Sequence, residues 1–129
     1  MKTLKIEPEE VIMLDLNHKR LNVWKMSLEF VATIYKLTAN FPTEERYGLT
    51  SQMRRAAVSV LSNISEGAAR KSPKDRKRFY EIARSSLVEI DAQLEISLRL
   101  NFLNVKNIKQ ASKQMNEIFA MLTKLISNT

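Results

Sequence analysis

Apolar positions along this chain recur at steps of three and four, the spacing that lines one face of an α-helix. In the first such stretch, about Val23 to Asn40, Trp24, Leu28, Val31, Tyr35 and Thr38 form one stripe. Phe30, Ile34, Leu37 and Phe41 form a second. Together they make an apolar surface wider than one partner helix covers. Asn22 is placed to cap this helix. Phe41-Pro42-Thr43 ends it, because the residue before proline disfavours helix. Thr43 caps the second helix, with Glu44 and Glu45 where a helix N-terminus favours anions. That helix is expected to run to about Lys71, with Gly48 and Gly67 inside it.

Ser72-Pro73-Lys74-Asp75 is a helix start: a capping serine, a proline at the first helical position, an acid at the third. The third helix is expected to reach about Leu100, with Phe79, Ala83, Leu87, Ile90, Leu94 and Leu98 inward. Asn101 to Asn104 form the next turn. The fourth helix spans about Val105 to Ile126, with Ile108, Ala111, Met115, Phe119, Leu122 and Ile126 inward. Four helices with short connections imply an all-α, antiparallel up-down four-helix bundle over residues 22–129. Residues 1–21 lack a sustained period, contain Pro8 and are neutral overall, and so read as an N-terminal extension. There is no internal repeat.

Composition agrees. Two glycines and three prolines in 129 residues are too few turn formers for a β-rich fold. No apolar run approaches the roughly 20 residues that span a bilayer. The first twenty residues do not read as a secretory signal, and a cytoplasmic protein is expected. Cysteine is absent, which removes disulfides, thiolate nucleophiles and cysteine-ligated metals.

Candidate chemistry narrows further. Metal sites in helical bundles use carboxylates with Glu-x-x-His pairs. The single histidine, His18, lies outside the bundle, and Asp91 and Glu95 are better explained as a solvated face on which Glu95 can pair with Arg99. No cofactor is expected. Ser59, Ser62, Ser65, Ser85 and Ser86 have no base in obvious reach, and no glycine-rich phosphate loop occurs. The reading is non-enzymatic.

Charge is more informative. The chain carries a net +7. Arg70, Lys71, Lys74, Arg76, Lys77 and Arg78 crowd nine positions at the junction of the second and third helices, opposed there by Asp75 alone. Such a cluster can hold phosphates, with Phe79 or Tyr80 near enough to stack on a base. It can equally be a solubilising corner with its aromatics in the core. A membrane surface is not expected as partner, because these cations gather at a corner and not along an amphipathic face. On the second helix, Gln52, Arg55, Ser59, Asn63, Glu66 and Arg70 form one narrow polar strip beside the apolar face Leu49, Met53, Ala56, Val60, Ile64 and Gly67. Amides and hydroxyls mixed with a few charges suit a polar seam between subunits, and a ligand groove or a solvated face would also fit.

One family shares this pattern. Trp24, Tyr35, Phe41-Pro42, Glu45, the run Leu49 to Ala56, Ser59, Ser62-Asn63-Ile64-Ser65-Glu66-Gly67 and Arg70, then Phe79, Ser85-Ser86 and Glu89, stand in order. Over residues 22–103 the chain resembles the four-helix-bundle proteins encoded within intervening sequences of bacterial 23S ribosomal RNA, often labelled S23 ribosomal proteins. Residues 1–21 depart from the usual short N-terminus. The family is similar to the accessory variability protein of diversity-generating retroelements, a five-membered barrel of bundles that works with a reverse transcriptase and RNA. The resemblance implies a homo-oligomer, a pentamer, with a basic surface for RNA. The resulting expectation is an oligomeric accessory protein associating with RNA through the 70–78 cluster. The alternative is a protein-interaction scaffold, for instance for a polymerase, that does not touch nucleic acid.

Overall fold

Where apolar residues recur at helical spacing the chain is helical. The computed structural model describes residue 11 and residues 13–129. A 3-10 turn, Asn17–Arg20, precedes α1 (Asn22–Thr38). A second 3-10 turn, Thr43–Glu45, leads to α2 (Leu49–Ala68), then come α3 (Pro73–Arg99) and α4 (Lys109–Ser127). There is no strand among the described residues. α1 packs on α2 and α4, and α3 packs on α2 and α4, so each helix has two neighbours around one core.

Phe30, Ile34, Met53, Ile64, Leu87, Ile90, Ile118 and Leu122 are fully buried in that core. Removing each such side chain from water contributes about 1.5–3 kcal/mol. The apolar face expected for α2 is the one observed, with Leu49, Met53, Ala56, Val60, Ile64 and Gly67 all buried.

Other faces are rotated. On α1 the core takes Val23, Ser27, Phe30, Ile34 and Thr38, and leaves Leu28 and Tyr35 exposed. Ser27 Oγ donates to the Val23 carbonyl at 2.7 Å and Thr38 Oγ1 to that of Ile34 at 2.8 Å. A hydroxyl satisfied by its own helix is tolerated inside, where it acts as a small side chain. On α3 the inward residues at the two ends are Tyr80 and Ser97 instead of Phe79 and Leu98. On α4, Ile118 is inward and Phe119 is 41% exposed.

Helix ends also differ from expectation. Asn22 lies in the first turn of α1 and Leu21 takes the cap position, without a side-chain bond. Thr43 opens a 3-10 turn and not α2. Gly48 therefore precedes α2, whose first free amide, Leu49 N–H, donates to Glu45 Oε1 at 3.1 Å. Ser72 caps α3 as expected, accepting from the Asp75 N–H at 3.4 Å. α3 closes with Asn101 at φ 59°, the left-handed position of a helix C-terminus. The Phe102 N–H returns to the Ser97 carbonyl at 2.9 Å and the Asn101 N–H to that of Leu98 at 3.1 Å. Asn104 and Asn107 then bond each other's N–H through their side-chain oxygens, both at 2.9 Å. That reciprocal turn occupies the segment expected to begin the fourth helix, so α4 starts at Lys109.

Residues 1–10 of the expected extension lie outside the described residues. Its end, the turn Asn17–Arg20, packs against α1 and α2. There His18 is buried, its ring 5.6 Å from that of Trp24, whose Nε1–H donates to Ser65 Oγ at 2.9 Å.

Candidate nucleic-acid interface

The corner between α2 and α3 is short because Gly67 lets the two helices meet. A Cβ on Gly67 would stand 2.7 Å from a Tyr80 ring carbon and 3.1 Å from Phe79 Cβ. Tyr80 is thereby buried in the core and unavailable for stacking, and burial pushes its phenol pKa up, with the nearby Arg76 charge acting against that rise. Phe79, expected to face inward, lies half-buried at the surface.

The six cations of the corner take distinct roles. The Arg70 and Arg78 guanidiniums lie over the Phe79 ring, 4.8 and 5.0 Å from its centre. Arg70 also pairs with Glu66 at 3.1 Å. Arg76 turns back. Its Nη1 donates to the carbonyls of Arg70 at 3.1 Å and Lys71 at 2.7 Å, just beyond the end of α2. A cation there meets the partial negative charge of a helix C-terminus, so Arg76 holds the corner together. Lys71, Lys74 and Lys77 are exposed and form no side-chain hydrogen bond or ion pair among the described residues. The outward cations are therefore Arg70, Lys71, Lys74, Lys77 and Arg78, of which Arg70 and Arg78 cover the Phe79 ring.

The polar strip divides. Ser59 and Asn63 are partly buried against α3: Asn63 Nδ2 donates to the Ser59 carbonyl at 2.8 Å and to Ser59 Oγ at 3.0 Å, and Ser59 Oγ lies 3.0 Å from Ser86 Oγ. Gln52, Arg55 and Glu66 face solvent. Asp91 and Glu95 lie beside Val88, Met115 and Phe119 in a groove between α3 and α4. Among the described residues, no three His, Asp or Glu side chains are grouped to hold a metal. No described helix is long and apolar enough to cross a membrane.

A second concentration of arginine was not anticipated. Arg46, Arg54 and Arg55 surround a groove with Tyr35 and Tyr47. Its signal in the sequence was the recurrence of Arg46-Tyr47 and Arg54-Arg55 about two helical turns apart, obscured by the denser run at 70–78.

Among curated proteins, none matches this chain. A solved structure does: a protein of unknown function from the S23 ribosomal protein family of Bacteroides thetaiotaomicron, with 25% identity and a TM-score of 0.72. The match covers 81% of this chain and 97% of that one. The model of the 23S rRNA-intervening sequence protein family matches residues 19–124. With most of its length, including the greater part of all four helices, inside that match, the chain belongs to the 23S rRNA-intervening sequence protein family.

Proposed function

We propose that this protein is a non-catalytic, oligomeric accessory protein of the cytoplasm that associates with RNA through the α2–α3 corner. The observation that carries the reading is the corner itself: Arg70 and Arg78 against the Phe79 ring, with Lys71, Lys74 and Lys77 exposed nearby in the chain and Arg76 bracing the turn. Clustered guanidinium and ammonium groups beside an aromatic ring suit a phosphate backbone and an unstacked base. No cofactor is part of the reading.

The helices are taken to run up and down, each antiparallel to its neighbours. Contacts support this: Trp24 near the start of α1 meets Ser65 near the end of α2, and Arg84 on α3 donates to Thr123 near the end of α4 at 3.1 Å. Phe41 after α1 packs on Phe102 after α3, ring centres 5.4 Å apart. Self-association is proposed through the strip Gln52, Arg55, Ser59, Asn63 and Glu66, and five subunits follow the resemblance to the retroelement accessory protein.

The test is binding of nuclease-treated protein to structured and single-stranded RNA across a salt series. Affinity should fall steeply with salt, by a log–log slope of about 0.7–0.9 per phosphate contacted. The Lys74→Glu, Lys77→Glu double variant should bind weakly while melting like the parent. Equal affinity in that variant refutes the corner. A scaffold that binds protein partners without RNA is the second reading, favoured by the exposed Leu28 and Tyr35 on α1 and by Val88 and Phe119 beside the α3–α4 groove. Partners retained after nuclease treatment would select it.

A further inference from the structure

At the opposite end of α2 from the basic corner, Arg46, Arg54 and Arg55 line an open groove of about 470 Å³ with Tyr35, Tyr47 and Thr50. None of its lining residues is acidic. The adjoining hollow, which shares Arg46, Thr50 and Arg54, has no acidic lining either. Arg54 is held in place without a carboxylate: its Nε donates to Thr38 Oγ1 at 2.9 Å and its Nη2 to the Tyr35 carbonyl at 3.4 Å. Its guanidinium lies 4.5 Å from the centre of the Tyr35 ring. Three guanidiniums line this groove, and none of them is ion-paired with a carboxylate among the described residues. Their planar, forked donors match the oxygens of a phosphate.

Tyr47 completes the site. It is 89% exposed, so its ring is free to be covered by a ligand. An exposed aromatic ring beside phosphate-fitted cations is the arrangement on which a base stacks while its phosphate is held. Along the helix axis, Arg55 of the groove and Arg70 of the corner are about 22 Å apart at ~1.5 Å per residue, too far for one phosphate to reach both.

We propose that this groove binds a nucleotide unit, with the phosphate on Arg46 and Arg55 backed by Arg54, and the base on Tyr47. Two sources supply that chemistry, a free nucleotide and a residue of single-stranded RNA. For the second source the inference rests on the RNA reading above; for the first it stands apart from it. Arg55 also belongs to the strip proposed as a subunit seam, and the test must separate the two roles.

The test is fluorescence anisotropy of a short labelled oligouridine, with ATP and inorganic phosphate as competitors. The proteins are wild type, Tyr47→Ala, the Arg46→Gln, Arg55→Gln double variant, and the corner variant Lys74→Glu, Lys77→Glu. Arg54 is left intact because it supports the end of α1. Circular dichroism and sedimentation check folding and mass. Loss of one stacked base should weaken oligouridine binding by about tenfold in Tyr47→Ala. The double arginine variant should lower the log–log salt slope by about 0.7, the single-strand value for the one phosphate these two side chains hold. Competition by ATP, beyond that of phosphate and lost in Tyr47→Ala, identifies a free-nucleotide site; loss of oligouridine affinity without such competition identifies a strand site. Groove variants that bind like wild type overturn the inference, and if the corner variant alone loses binding, the corner reading survives it. Groove variants that change the oligomeric mass but not the affinity also overturn it, as a subunit contact. Wild-type protein that binds neither oligouridine nor ATP defeats both readings.

Discussion

Gly67 on α2 and Tyr80 on α3 meet so closely that a Cβ on Gly67 would stand 2.7 Å from Tyr80 Cε1 and 2.9 Å from Cδ1. This contact brings the corner cations together, because it sets how tightly α3 turns back onto α2. Gly67→Ala gains about 1 kcal/mol of helix propensity. Against that stands overpacking of a buried ring, typically 1–3 kcal/mol, and here the neighbour is a buried aromatic and not a flexible chain end. A net loss of about 1 kcal/mol is expected in denaturant melts. Tyr80→Leu in the same chain should recover part of it, and additive effects of the two changes would refute the contact as the cause.

Arg76 and Lys77 are neighbours in sequence with opposite expected behaviour. Arg76→Gln loses two charged hydrogen bonds to backbone carbonyls and should cost about 1 kcal/mol of stability. Lys77→Gln touches nothing and should stay within about 0.5 kcal/mol. For RNA affinity the order reverses, with Lys77→Gln the more damaging. Binding and melting measured on the same two variants check both halves.

His18 and Trp24 are the single histidine and single tryptophan of the chain, and their rings are in contact. Burial first, then the charge of Lys19, lowers the imidazole pKa from its ordinary value. The fold thus favours neutral His18. As pH falls, the unfolded state takes up the proton first, so this contribution is full above about pH 6.5 and is lost as pH falls through that value towards the folded pKa. Trp24 emission should change over that interval, and His18→Gln should abolish the change. An unaltered titration in His18→Gln would assign it elsewhere.

Ile118 and Phe119 test the register of α4. Ile118→Ala empties a fully buried site and should cost about 2–4 kcal/mol. Phe119→Ala, at a position 41% exposed, should cost about 1 kcal/mol or less. Comparable losses would contradict the observed orientation.

These register differences share a cause. Hydrophobic spacing identified all four helices, and on α2 all six residues of the expected face are buried, with Thr50 and Ala57 buried beside them. Where two apolar residues adjoin, as in Phe79-Tyr80 and Ile118-Phe119, either continues a helical stripe within one residue. Where the inward residue is Ser27 or Ser97, hydropathy points to its apolar neighbour instead. Ser97 is inside because its hydroxyl is met by the Gln93 carbonyl at 2.8 Å.

The amino-acid sequence by itself determined the helical class, the number of helices, the capping at Ser72 and the clustering of charge at 70–78, all of which are local in the chain. Tertiary structure decided which of two adjacent side chains turns inward and that Arg76 braces the corner while Lys77 faces solvent. It also decided that Arg46, Arg54 and Arg55 converge on one groove. The physical reason is that periodicity specifies a helix face only to within about one residue, some 100° of rotation, at the helix ends. The final choice depends on what the neighbouring helix offers: room above a glycine, a carbonyl for a guanidinium, or a carbonyl within reach of a buried hydroxyl.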